Sequence, residues 1–308
     1  MATDPCTVAD VVTVLERRFP LAWAEQWDRV GLVLGEPDAP VRRVLCVVDC
    51  VPETVAQARA LGADMIVAHH PLLLRPVSSV APTTYKGRIV HDLIRHGIAL
   101  YTAHTNADVA DPGVSDALAA RLQLGDLHPL RPATAPPGPT STGGPGGAGG
   151  TGDPAGTGPA TAGGPATAGG RGTGRIGSLS RDMTLAELTR RVAGALPRTA
   201  WGVRAAGDPD RPVRTVAVCG GAGDAYLADA TAAGVDAYLT ADLRHHPVSE
   251  HLAAGGPALL DAAHWATERP WLDHLVRLLC DTLPVEAVAS DLDTDPWTVH
   301  ADGLTKEL

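Results

Sequence analysis

The sequence predicts an α/β protein made of two similar α/β domains, each with a mainly parallel sheet flanked by helices. Three observations predict this: short apolar runs alternate with amphipathic helical stretches, the second half of the chain repeats the first, and a low-complexity stretch separates the two copies. Residues 7–18 place Val8, Val11, Val12 and Leu15 on one helical face, with Thr7 as the N-cap. Residues 184–196 place Leu185, Leu188, Val192 and Leu196 likewise, behind Thr184. The string Val41-Arg42-Arg43-Val44-Leu45-Cys46-Val47 resembles Val213-Arg214-Thr215-Val216-Ala217-Val218-Cys219 at an offset of 172. At the same offset, Gly62-Ala63-Asp64 falls on Gly234-Val235-Asp236. In each copy an apolar strand leads into an Ala-rich helix that a glycine stops, and a second strand follows, at 65–68 and 237–240. That β-α-β order implies parallel strands. Residues 98–104 then resemble 258–264 at an offset of 160, so the first copy carries 12 extra residues, around the Pro- and Ser-rich stretch 71–86.

Residues 133–174 are almost only Gly, Pro, Ala, Thr and Ser. Such a segment cannot bury enough apolar surface to offset the entropy of ordering it, and a disordered linker or insertion is expected. The domains are therefore expected at 1–132 and 175–308, a division that 308 residues can sustain. With a single Phe, the cores must be built from Val, Leu, Ile and Ala. A net charge of -10 without a basic run lacks the footprint of a nucleic-acid binder and suits an anionic membrane poorly. The five cysteines, Cys6, Cys46, Cys50, Cys219 and Cys280, are odd in number and loosely spaced, which argues against a disulfide framework. Cys46 and Cys50 are expected as small buried residues on one face of a strand. Neither a leader pattern nor an apolar run of about 20 residues is present, so a soluble, cytoplasmic protein is expected.

Ligands of open parallel sheets bind beyond the carboxyl ends of the strands. His69, His70 and Pro71 follow the strand at 65–68. His104 and, four residues on, Asp108 follow the strand ending near Ala103. His264 and Glu268 occupy the matching place in the second copy. Imidazole and carboxylate four apart share a face of a helix. Imidazole suits zinc, iron, nickel and copper, and a carboxylate can bridge two cations. The pattern points to divalent metal ions; the plainer alternative is a set of helix caps and solvated histidines. His245-His246-Pro247 repeats the earlier string out of register, since Ala241 and Asp242 match His69 and His70. His246 and its neighbour either line the site or lie on the surface. Asp242, at a strand end, is placed to orient a ligand. Gly220-Gly221-Ala222-Gly223 offers backbone N–H groups to a phosphate or is a tight turn. No nucleophile-elbow pattern is present, which disfavours a serine hydrolase.

These residues carry a resemblance. The strings Trp27-Asp28-x-Val30-Gly31-Leu32, Ala68-His69-His70-Pro71 and Ala103-His104-Thr105-Asn106-x-Asp108, then Gly174-Arg175-Ile176-Gly177, Cys219-Gly220-Gly221-Ala222-Gly223 and Ala263-His264-Trp265-Ala266-Thr267-Glu268, resemble the Nif-three-like dinuclear-metal-centre hexameric proteins, a family also called GTP cyclohydrolase 1 type 2 homologs. The resemblance implies a dinuclear site in the cleft between the two domains. It implies His69, His70, Asp108, His264 and Glu268 as ligands of two divalent metal ions per chain, with one acidic residue bridging them. Zinc, iron, manganese and nickel are not told apart. His104, Asp242, His246 and Asp28 are expected around the cleft. A ring-shaped homohexamer and a small nucleotide-like ligand are also implied. The chain departs from the family pattern at Arg29 (usually Asn), Ala263 (usually Gly) and Ala241 (often Gly), none of them an implied ligand. The expected function is a metal-dependent hydrolase, by GTP cyclohydrolase-type ring opening or by phosphoester hydrolysis. A non-catalytic metal-binding or scaffold protein is the alternative.

Overall fold

The computed structural model describes residues 5–133 and 170–301. In chain order the strands are β1 Gly31–Leu34, β2 Arg43–Val47, β3 Met65–Ala68, β4 Ala99–Thr102, β5 Gly125–Pro132, β6 Gly172–Thr184, β7 Val203–Ala206, β8 Pro212–Ala222, β9 Ala237–Ala241, β10 Ala258–Ala262 and β11 Glu286–Ala289. The α-helices are α1 Val8–Arg18, α2 Pro52–Leu61, α3 Tyr85–Arg95, α4 Thr105–Asp108, α5 Val114–Arg121, α6 Leu185–Ala195, α7 Leu227–Ala232, α8 His245–Ala253 and α9 His264–Thr282. Helices α1 and α6 start where the sequence places them. In each, the capping threonine accepts the N–H three residues on, while Asp10 or Glu187 accepts the threonine's own N–H.

Two sheets form, in the orders β1-β4-β3-β2-β11 and β5-β6-β8-β9-β10-β7. In the first, β4, β3, β2 and β11 run parallel and β1 is antiparallel. In the second, only the central strands β8, β9 and β10 are parallel, and β5, β6 and β7 add antiparallel pairings. The repeated Gly-x-Asp now has a physical basis. Gly62 and Gly234 take φ of +63° and +65° to end α2 and the turn after α7. Asp64 then accepts the backbone N–H groups of Arg42 and Arg43 at 2.8 and 3.0 Å. Asp236 accepts those of Arg214 and Thr215 at 2.9 and 2.8 Å. The carboxylate thus fastens the start of one strand to the start of the next in both copies.

The sheets do not follow the two sequence halves strand for strand. β5, from the first half, pairs with β6 at the edge of the second sheet, and β11, near the C-terminus, pairs with β2 in the first. The expected disorder of the insertion lies outside the described residues at 134–169. Its flanks are described: β6 already begins at Gly172, Pro132 sits opposite Gly172, and Ala133 N–H donates to the Arg171 carbonyl at 2.9 Å. Between the sheets one core joins Val44 and Met65 of the first to Val216 and Leu239 of the second through Trp271 and Leu275 of α9. Cys46 belongs to this core, whereas Cys50 packs in a separate cluster with Leu45 and Val47. The shared face expected for the two cysteines fails because β2 ends at Val47, before the alternation can reach Cys50. Among the described residues no helix is long and apolar enough to cross a membrane.

Candidate metal centre

Four histidines gather where β3, β4 and β10 end. After β3 the chain stays in register with β2's extension, His69 N–H on the Val47 carbonyl and His70 N–H on that of Val48, so both rings leave from a fixed backbone. His69 Nδ1 bonds the Ala103 carbonyl at 2.9 Å, and His70 Nδ1 bonds Asp49 Oδ1 at 2.7 Å. Past β4, His104 Nδ1 bonds Asp28 Oδ1 at 2.9 Å, and α4 carries Asp108 one turn later. Past β10, His264 opens α9, its Nδ1 bonds Asp242 Oδ2 at 2.7 Å, and Glu268 follows one turn on. A carbonyl or ionised carboxylate can only accept, so each Nδ1 carries its proton. In a neutral ring so held, Nε2 is the lone-pair donor, the tautomer that metal-binding imidazoles need.

The Nε2 atoms and two carboxylates converge. His264 Nε2 lies 3.3 Å from His70 Nε2 and 3.0 Å from Glu268 Oε1. His70 Nε2 is 3.1 Å from Glu268 Oε2, and His69 Nε2 is 3.5 Å from Oε1 and 3.7 Å from Asp108 Oδ1. Ligands about 2.0–2.1 Å from a tetrahedral ion stand roughly 3.3–3.4 Å apart, close to these spacings. His69 Nε2 and Glu268 Oε2 are buried without a hydrogen bond, Oε2 despite its short approach to His70. Orphaned polar atoms in a protein interior call for an unseen partner. Among the described residues two donor groups meet the spacing for an ion: His69 with His70 and His104, and His70 with His264 and Glu268.

The electrostatics agree. Burial pushes the Glu268 carboxyl up, but His264, His70 and His69 outweigh it and hold the group well below the carboxylate range. Burial likewise disfavours charge on His70 and His264, yet Glu268, with Asp49 or Asp242, raises them to about 10 and about 11. His69 is raised by Glu268 and Asp108 against its burial. Asp108 is raised by burial, more than His69 and His104 can offset. Without a cation, protons on imidazole balance the buried carboxylates; a cation would take their place.

The structure thus brings His69, His70, Asp108, His264 and Glu268 together, with Asp28 and Asp242 behind two of the rings. His104, expected only around the cleft, is as well placed a donor as the others. His246 is not brought in: it is exposed at the start of α8, its ring packed edge-on against His245. The reason is the register noted above, which puts this pair one turn beyond the strand end. Two contributors escaped the sequence reading. Asp49 holds His70, and Thr294 in turn donates to Asp49 Oδ2 at 2.5 Å. Gly221 has φ +67°, and a Cβ there would stand 2.3 Å from Glu268 Oε1 and 3.0 Å from His264 Nε2. The glycine string is neither a phosphate cradle nor a simple turn. It continues β8, and Gly221 N–H is committed to Thr267 Oγ1 at 2.9 Å. Asp49 and Gly221 are repeat equivalents at the offset of 172, the signal that could have marked both. Of the departures from the family pattern, Arg29 is exposed and donates to the Asp28 carbonyl, while Ala241 and Ala263 are buried.

Two helix-flanked sheets holding a cluster of imidazoles and carboxylates between them define an α/β protein with a site able to hold metal. The chain belongs to the Duf34/NIF3 (NGG1p interacting factor 3) family, whose description matches residues 6–296. It is 48% identical to a GTP cyclohydrolase 1 type 2 homolog of Streptomyces coelicolor, over 95% of this chain and 94% of that one. It is 40% identical to one from Mycobacterium tuberculosis, over 96% and 98%. A Bacillus cereus protein related to NIF3 superimposes with a TM-score of 0.80 at 28% identity, covering 96% of this chain and 99% of that one.

Proposed function

We propose that this chain binds two divalent metal ions at the histidine–carboxylate cluster and hydrolyses a small nucleotide-like substrate there. The observation that carries the metal reading is the pair of orphaned buried atoms, His69 Nε2 and Glu268 Oε2, in a cluster where every Nδ1 is already tied. One ion is assigned to His70, His264 and Glu268, and the other to His69, Asp108 and Glu268 with His104 alongside. Glu268 reaches all three of His69, His70 and His264, which suits a bridging carboxylate. Bound divalent ions supply Lewis-acid activation of water and of the substrate's electrophile. The chain's own part is to fix the imidazoles through Asp28, Asp49, Asp242 and the Ala103 carbonyl, and to keep Glu268 ionised. The names of the relatives favour a purine nucleotide as substrate class, with ring opening or phosphoester cleavage as the reaction. A ring of six copies, as the family resemblance implies, is the proposed assembly.

Elemental analysis of the purified protein is expected to give two metal ions per chain. The double variant His264→Ala/Glu268→Ala is expected to lose most of them; unchanged metal content in that variant would sink the ligand assignment. A turnover screen of nucleotides and phosphoesters with metal-loaded protein tests the hydrolase reading. Full loading without turnover of any of them would support a metal-holding protein instead. Light scattering tests the ring, with six times 31.7 kDa as the expected mass.

A further inference from the structure

Beside the cluster lies a cavity of about 240 Å³. It is lined by His70, His264 and Asp242 of the cluster, and also by Trp201, Trp297 and Asp295. Nothing in the metal reading uses those last three residues. Trp201 is fixed: the Arg204 guanidinium lies 4.6 Å over its ring, and Arg204 is itself held by Asp261 at 2.8 Å. Its indole N–H is buried yet has no acceptor, a donor withheld from water and left unpaired. Trp297 stands 5.5 Å from Trp201 at an interplanar angle of 40°, and is 58% exposed. A large aromatic left open at the mouth of a polar cavity is a ready contact surface for a flat ring. The indoles are too close for a ring to enter between them, since carbon atoms in contact need about 3.5–4.0 Å on each side. A guest therefore lies against them.

The lining also sets the guest's chemistry. Asp49, Asp242 and Asp295 line the cavity and no Lys or Arg does, so the positive charge open to a phosphate is confined to the side of His70 and His264, where an ion is assigned. Away from that side, groups that donate N–H bonds are favoured. The volume falls below the roughly 300–1,000 Å³ of pockets that enclose drug-sized ligands, so it suits one ring system rather than a whole nucleotide. We propose that this cavity is the ring-recognition half of the site. It would take a planar nitrogen heterocycle that rests on Trp297, offers an acceptor to the Trp201 indole N–H and turns N–H donors toward the carboxylates. Any phosphate or sugar would lie outside it. The assignment of the guest as a substrate rests on the hydrolase reading of the adjacent cluster; the binding itself does not.

The test is a titration of full-length protein labelled with ¹⁵N-tryptophan, following the six indole N–H resonances. Trp201→Phe, which keeps the packing and removes the donor, assigns the Trp201 signal. Guanosine is expected to move that signal saturably, and ribose 5-phosphate to leave it in place. Trp297→Ala is expected to weaken guanosine binding at least tenfold while metal content by elemental analysis stays that of the parent. The proposal is overturned if guanosine and adenosine give no saturable shift, if ribose 5-phosphate moves the Trp201 signal as strongly, or if Trp297→Ala binds guanosine as the parent does. A parent protein that takes no metal but shows the expected titration would defeat the hydrolase reading and leave the ring pocket standing.

Discussion

At the scale of single residues, the site depends on what stands behind each imidazole. Asp49 touches no donor atom aimed at an ion except through His70. Replacing it with Ala frees His70 Nδ1 and lets the ring turn, so metal affinity is expected to fall about 10–100-fold. Competition with a chelating indicator measures this, and circular dichroism is expected to report an unchanged fold. The raised imidazoles also fix the sign of a pH dependence. His70 and His264 hold protons up to about 10 and about 11, so metal uptake must displace them and strengthens as pH rises. In the metal-stripped protein the sign reverses. Groups raised above their unfolded value of 6.5 stabilise fully below it, and that contribution drains away as pH climbs through the folded values. The melting temperature of stripped protein is therefore expected to fall from about pH 6.5 upward, and that of loaded protein to exceed it by a growing margin. A flat difference between the two across that range would contradict the assignment of His70 and His264 as the displaced bases.

At the scale of elements, legibility followed locality. Helices α1 and α6 were readable because an apolar face and a capping threonine lie within one segment. β3, β9 and the Gly-x-Asp turns were readable because the repeat marks them twice. The gathering of His69, His70, Asp108, His264 and Glu268 in one place was legible through family strings and strand ends. Asp49 was not, because its role is set by a ring 21 residues away and nothing in its own neighbourhood announces it. β7 and β11 are four-residue strands whose pairing is decided by distant partners rather than by their own pattern. Arg175 shows how such partners fasten the elements. Buried in β6, it donates to Asp116 of α5 at 2.7 Å and to the carbonyls of Gly172, Gly174 and Ala110. Removing one member of a buried pair costs about 3–5 kcal/mol, because the other charge is left without compensation. Arg175→Met is expected to lower stability by that order, measured by urea unfolding, while leaving the ligand residues intact.

At the scale of the molecule, the long Gly/Pro-rich insertion leaves and re-enters the fold at one spot, between paired neighbours β5 and β6. Ala133 and Arg171 are already joined by a backbone hydrogen bond. Replacing residues 134–169 with a short Asn-Gly turn is expected to keep the melting temperature and the metal content, since a tight turn suits that antiparallel geometry. Loss of either would show that the insertion contributes to the folded protein.

The exchange of edge strands bears on motion. Two similar halves that each kept its own sheet would be separable modules. Here β5 completes the sheet of the later half and β11 that of the earlier, so the halves are clasped like two links. A motion that swung them apart would have to break a ladder on either side of the cleft, rather than flex a connecting loop. His69, His70, His104 and Asp108 from one half and His264 and Glu268 from the other are therefore held at a preset spacing. On the proposed metal reading, choice among ions falls to the fixed size of that frame and not to a closing jaw.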